Sequence, residues 1–329
     1  MIVRQTFHQQ IAQNKRRSWL LLAVITAVLI VFGYVIGVAW TGDPGGGLVF
    51  IPAALALSGA LSAAAWFRGD SAVLAASRAR QVSEDDAPQV MNVLRELTLS
   101  AGIPMPRVFI IDDSAPNAFA TGRDPEHASV AITTGLLDKL DREELQGVMA
   151  HELSHVRNYD IRFSLLVGVM VGSVALIADM FLRVTWLSGM TGGRRSRSSN
   201  ASGGGLAAVM MIVAIVLAIV APIFGRMVQL AVSREREYLA DASSVELTRN
   251  PAGLERALVK IAADREPLEV ANRATQHLYV VNPVKKLDES SRGMFSTHPA
   301  IMDRVNRLRQ LTGQPPLEPG ALAQLADLN

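Results

Sequence analysis

The residues best suited to chemistry in this 329-residue chain are His151-Glu152-Leu153-Ser154-His155. On a helix, positions four apart share a face, so the two imidazoles can bind one metal ion. Glu152 projects beside them, close enough to act on a water at that ion. A helix is expected from Asp141 to about Asn158, because Asp141 can act as N-cap and Glu144 stands at the capping-box position. Leu145, Met149, Leu153 and Val156 form an apolar stripe opposite the histidines, and Gly147, Ala150 and Ser154 a small face that another element can approach. Two histidines and a glutamate inside such a helix need partners. A metal supplies them; hydrogen-bonded core histidines are the blander alternative.

A catalytic zinc site needs a third protein ligand and an open position. Extending the motif to a third histidine fails, because Asn158 and Ile161 occupy the required positions. A glutamate on a later helix is the other common solution. Within Ser233-Arg234-Glu235-Arg236-Glu237-Tyr238-Leu239-Ala240-Asp241, Glu237 and Asp241 share a face. Glu237 could bind the metal and Asp241 could fix the tautomer of a ligand histidine. A solvated helix, with Arg234 and Arg236 pairing the acids, fits the spacing equally well. There are no cysteines, which excludes disulfide scaffolds, iron–sulfur clusters, thiolate zinc and cysteine nucleophiles.

The elements that must position these residues include membrane spans. The chain is 50% hydrophobic and only 19% charged, with a mean hydropathy of +0.25. Soluble domains carry about 25% charged residues. Trp19 to Trp40 is uncharged and, as a helix, roughly 33 Å long. A Gly-Asp-Pro-Gly turn follows, then Leu48 to Phe67, also uncharged, with aromatic residues at the ends of both runs. A second apolar pair, 163–225, flanks a Gly/Ser-rich loop at 188–205 that holds Arg194, Arg195 and Arg197. Lys15, Arg16 and Arg17 before the first span, and Arg68, Arg78 and Arg80 after the second, place both flanks in the cytoplasm. The three loop arginines run against that rule; the second pair is read as crossing nonetheless. The formal charge of +2, with no basic tract beside aromatics, argues against a nucleic-acid partner.

The polar parts read as α/β at 81–162: a helix over Ala87–Ser100, then strands at Arg107–Asp112, Asn117–Thr121 and Ser129–Thr134. The expected division is an N-terminal segment 1–18, a transmembrane hairpin 19–67, a first catalytic part 68–162, a second hairpin 163–225 and a mainly helical second catalytic part 226–329. The fold class is therefore α+β, mainly helical, in an integral membrane protein with two helical hairpins. His8, His127 and His277 are not assigned to the metal; Asp160 is read as structural, and Arg304 as tying down a helix by an ion pair.

H-E-L-S-H followed by E-Y-L-A-D resembles the HtpX-type integral-membrane zinc metallopeptidases, relatives of the CAAX prenyl proteases. Pro104-x-Pro106, Asn117-Ala118-Phe119-Ala120-Thr121-Gly122, and Thr297-His298-Pro299 followed by Arg304 match as well. Tyr238 and the Gly/Ser/Arg-rich loop depart from the pattern. The resemblance implies a zincin (gluzincin-like) domain bearing a small sheet. It implies one Zn2+ per chain on His151, His155 and Glu237, with Glu152 as catalytic base and Asp241 behind a ligand. It also places His298 near the site, as a candidate partner for the oxyanion. Asn117, Ala118 and Phe119 are expected on a strand that meets an extended substrate. The implied activity is endoproteolysis of unfolded or misfolded membrane proteins, with possible self-cleavage, at the bacterial inner membrane with the site facing the cytoplasm. Processing of a defined substrate in the CAAX-protease manner, and an inactive membrane scaffold, are the alternatives; an intact Glu152 argues against the last.

Overall fold

The computed structural model describes residues 7–167, 234–264, 266, 268 and 299–318. Two long helices come first, α1 (Phe7–Thr41) and α2 (Pro44–Ala76). Both contain stretches long and apolar enough to cross a membrane, Ile11–Val35 and Pro44–Ala76. The turn between them follows from Asp43, whose carboxylate accepts the Gly46 N–H, and from Pro44 at the start of α2. Thr26 and Ser58 join the helices by a hydroxyl–hydroxyl hydrogen bond of 2.8 Å. Trp19 stacks on Trp66, with ring centroids 6.1 Å apart. Helix α1 starts well before Trp19, where the sequence reading placed only a leading segment. Residues 7–18 contain no glycine or proline, so nothing there stops the helix.

The next elements build a four-stranded sheet and its first helices. They are β1 (Arg80–Gln81), α3 (Pro88–Ala101), β2 (Arg107–Ile111), β3 (Ala118–Gly122), β4 (Ala128–Thr133) and α4 (Thr134–Lys139). The spatial order is β1-β2-β4-β3; β2 and β4 run parallel and the outer pairings are antiparallel. Gly102, at φ 66°, ends α3 in the left-handed conformation that glycine adopts without strain. The sequence reading missed β1, which is two residues long and exists only by pairing with β2. It also ran the last strand one residue too far: Thr134 instead opens α4, which Thr133 caps, its hydroxyl accepting from the Leu136 N–H.

Alternation along the strands splits the core in two. Val108, Ala118, Ala120, Val130 and Ile132 face a large cluster with Leu94 of α3 and the helices described next. Phe109, Ile111, Phe119 and Ala131 face the other way, onto Val73 and Leu74 of α2 and onto Leu165. The helices that follow are α5 (Arg142–Arg157), α6 (Arg234–Thr248), α7 (Pro251–Ala263) and α8 (Ile301–Leu311). Residues 160–167 are helical. Apart from 163–167, the expected second hairpin and its loop lie outside the described residues.

Helix α5 carries the full capping box: Asp141 accepts the Glu144 N–H and Glu144 accepts the Asp141 N–H. Its small face works as a crossing point. A Cβ added at Gly147 would lie 2.6 Å from the Leu254 nitrogen, and one at Gly253 would lie 2.6 Å from the Glu143 carbonyl. Only glycines allow α5 and α7 to approach this closely.

Candidate metal centre

Helix α5 presents His151 and His155 from successive turns, with ring centroids 4.8 Å apart and planes at 88°. Their Nε2 atoms are 3.3 Å apart. Helix α6 crosses α5 closely: Ala240 is buried, and the Ser244 hydroxyl donates to the Gly147 carbonyl. This brings Glu237 to the histidines. Its Oε2 lies 3.6 Å from His151 Nε2, and its Oε1 3.8 Å from His155 Nε2. One ligand atom from each of the three residues falls within 4.8 Å of the others, a group that could hold a metal ion.

The hydrogen-bond pattern behind the rings tests that fit. His151 Nδ1 is 3.0 Å from Asp241 Oδ1, and His155 Nδ1 is 3.1 Å from Asp160 Oδ2. An ionised carboxylate only accepts, so each Nδ1 carries a hydrogen, and in the neutral ring Nε2 is left with the lone pair a metal needs. Two such nitrogens 3.3 Å apart bring their lone pairs together, a repulsion that a shared proton or a metal ion relieves. Two nitrogens at about 2.05 Å from a tetrahedral zinc stand roughly 3.3 Å apart. Charge gives the same answer. Glu152, Asp160, Glu237 and Asp241 are buried carboxylates, and they face the guanidinium groups of Arg236 and Arg304. Among these six residues the carboxylates outnumber the guanidinium groups, an excess that favours a bound cation. Burial and the Arg304 charge act to lower the His151 pKa, yet the carboxylates of Asp241 and Glu237 outweigh them and push it up to about 9. In the absence of a metal, those carboxylates hold a proton where the cation would sit.

Glu152 is buried beside the histidines. Burial raises its pKa, against the pull of both imidazoles and of the Ala120 N–H, which hydrogen-bonds the carboxylate. The edge strand β3 is thereby tied to the site. Arg304 reaches in from α8, fully buried, and grips Asp241 with two bonds: Nε to Oδ2 at 2.9 Å and Nη2 to Oδ1 at 2.7 Å. Its Nη1 lies 3.5 Å from Glu237 Oε2. Burial would raise the Asp241 pKa, but Arg304 and His151 together hold it low.

The structure thus gathers His151, Glu152, His155, Glu237 and Asp241 in one place. His298 and His277 lie outside the described residues. Asn117, Ala118 and Phe119 are fully buried: the Asn117 side chain accepts the Ala118 N–H, and Ala118 and Phe119 pack into opposite halves of the core. All three side chains are packed within the protein. His127 pairs with Asp124 in the β3–β4 turn. Sequence reasoning undervalued two residues. Arg304 does tie down its helix by an ion pair, but the pair is the one that holds Asp241. Asp160, read as structural, sits behind His155. Its position depends on Tyr159, which takes φ 61° and turns the chain back; a tyrosine gives no signal of a left-handed turn.

Comparison with known proteins adds relatives. The model of Peptidase family M48 matches residues 84–312. "Protease HtpX homolog" of Streptococcus gordonii is 43% identical over 303 residues, covering 92% of this chain and 99% of that protein. The protein of the same name from Ligilactobacillus salivarius is 40% identical over 304 residues, with the same coverage. Among solved structures, the crystal structure of S. mikatae Ste24p aligns with a TM-score of 0.46 at 16% identity, over 91% of this chain and 66% of that one.

Proposed function

The chain belongs to peptidase family M48, and from that premise we propose that it is a membrane-bound zinc metalloendopeptidase. The observation that carries this reading is the convergence of two lone-pair nitrogens and the Glu237 carboxylate beside a buried Glu152. His151, His155 and Glu237 would hold the ion, one per chain. Zinc bound there would lower the pKa of a water towards about 7 and polarise the scissile carbonyl. Glu152 takes the proton from the attacking water and passes it to the leaving nitrogen. Its burial supports both halves of that task, because a carboxyl raised above its ordinary value can also give a proton back. Asp241 and Asp160 hold the two imidazoles with Nε2 facing the ion. Arg304 keeps Asp241 ionised and in place. His298 is proposed as a donor to the oxyanion, on the strength of the sequence resemblance.

The substrate is an extended chain laid along the backbone of β3, beside Glu152. Unfolded or misfolded membrane proteins suit a site joined to a membrane hairpin, and the chain itself is a possible substrate. The basic flanks of α1 and α2 support a cytoplasmic site at the bacterial inner membrane. The test is direct. The full protein is purified in detergent with a chelator, reloaded with zinc, and given an unfolded model protein. Glu152→Gln should retain zinc and lose turnover by several orders of magnitude. Cleavage by that variant at the wild-type rate would falsify the mechanism.

A further inference from the structure

Asn14 lies near the start of the apolar stretch Ile11–Val35 of α1, five residues before the uncharged run begins at Trp19, and is buried, 3% exposed. Its amide nitrogen donates to the Asn158 carbonyl at 2.9 Å and to Asp160 Oδ1 at 2.7 Å. These acceptors bracket Tyr159, the left-handed residue that reverses the chain after α5. A non-glycine residue held there is strained and persists only when its surroundings fix it. The turn sets Asp160 beside His155, whose Nδ1 meets the other carboxylate oxygen at 3.1 Å. Hydrogen bonds therefore run without a break from the first helix to the back of a ring in the metal centre.

We propose that Asn14 is a positioning residue for the metal centre. By fixing the Asp160 carboxylate and the turn that carries it, Asn14 sets the tautomer and aim of His155. This rests on reading His155 as a metal ligand. An amide suits the position because it offers two N–H donors and no charge. A carboxylate at 14 would oppose Asp160. A cationic side chain would crowd Arg236, whose Nη1 is 3.3 Å from the same oxygen. Beside Asn14, the Lys15 ammonium lies 4.2 Å from the centre of the Tyr159 ring, and from the chain just past the turn the Arg162 guanidinium lies 4.9 Å from it. Helix α1 is then part of the frame of the site as well as a candidate membrane span.

The experiment measures zinc affinity of the full chain in detergent, by competition with a chromophoric chelator. Asn14→Ala, Asn14→Asp, Asp160→Asn and the double variant Asn14→Ala/Asp160→Asn are compared with wild type. Thr26→Val is the control, since it removes an α1–α2 hydrogen bond remote from Asp160. Outer partners of metal-ligating histidines are worth 10–100-fold in affinity. The expected result is about a tenfold loss in Asn14→Ala, at least as much in Asn14→Asp, and none in Thr26→Val. Asn14→Ala should add nothing once Asp160 is already changed. Wild-type affinity in both Asn14 variants would overturn the proposal, and so would losses that multiply in the double variant or an equal loss in Thr26→Val. Failure of both variants to fold would make Asn14 a structural prop and also overturn it. Should wild type itself bind no zinc, this inference and the metal reading fall together; if wild type binds and the Asn14 variants match it, only this inference falls.

Discussion

At the scale of single residues, the centre is a set of buried carboxylates that outnumber the guanidinium groups facing them, an excess that favours a bound cation. Arg304 is the sharpest case. It is fully buried and makes two hydrogen bonds to Asp241. Removing one partner of such a pair leaves an uncompensated charge, at a cost of about 3–5 kcal/mol. Arg304→Met should therefore lower the thermal stability of the metal-free protein severely, whereas Arg309→Met, whose ion pair with Glu255 is more exposed, should cost less. Equal losses in a melting experiment would contradict the assignment. The histidines and Glu152 were legible in the sequence because helical spacing alone puts them together. Asp160 and Asn14 were not. One depends on a left-handed tyrosine, the other on a contact across 146 positions of chain, and neither leaves a periodic trace.

Elements were more legible than residues wherever local chemistry decides them. The capping box at Asp141, the helix expected over Ala87–Ser100 and the alternating strands could all be read from neighbouring positions. Elements defined by their partners could not be read: β1 forms only against β2, and α1 extends beyond its apolar run because nothing stops it. The small face of α5 was visible in the sequence, but its partner was not. Gly147→Ala puts a methyl group 2.6 Å from the backbone nitrogen of Leu254. Because α7 must shift and backbone cannot fold away, the expected cost is about 1–3 kcal/mol. Gly59→Ala, with open space around it, should cost nothing comparable. Matched melting curves of the two variants check this; equal stability would show that the α5–α7 crossing tolerates expansion.

At the scale of the whole molecule, two helices long and apolar enough to cross a membrane are joined to the sheet-and-helix core through the far end of α2 and the first turns of α1. The chain has no cysteine, so single introduced cysteines report topology cleanly. In intact cells an impermeant thiol reagent should label Asp43→Cys, in the α1–α2 turn. Ser100→Cys, on the exposed side of α3, should be labelled only after lysis. The reverse pattern would put the site outside the cytoplasm. The central claim is also global, since α5 and α6 are far apart in sequence and must meet around one ion. The most direct measurement is zinc per chain in Glu237→Ala and Glu235→Ala, each stripped and reloaded beside wild type. One zinc per chain in wild type and Glu235→Ala, with Glu237→Ala losing most of it, is the result this account predicts. Equal zinc in the two variants would contradict it.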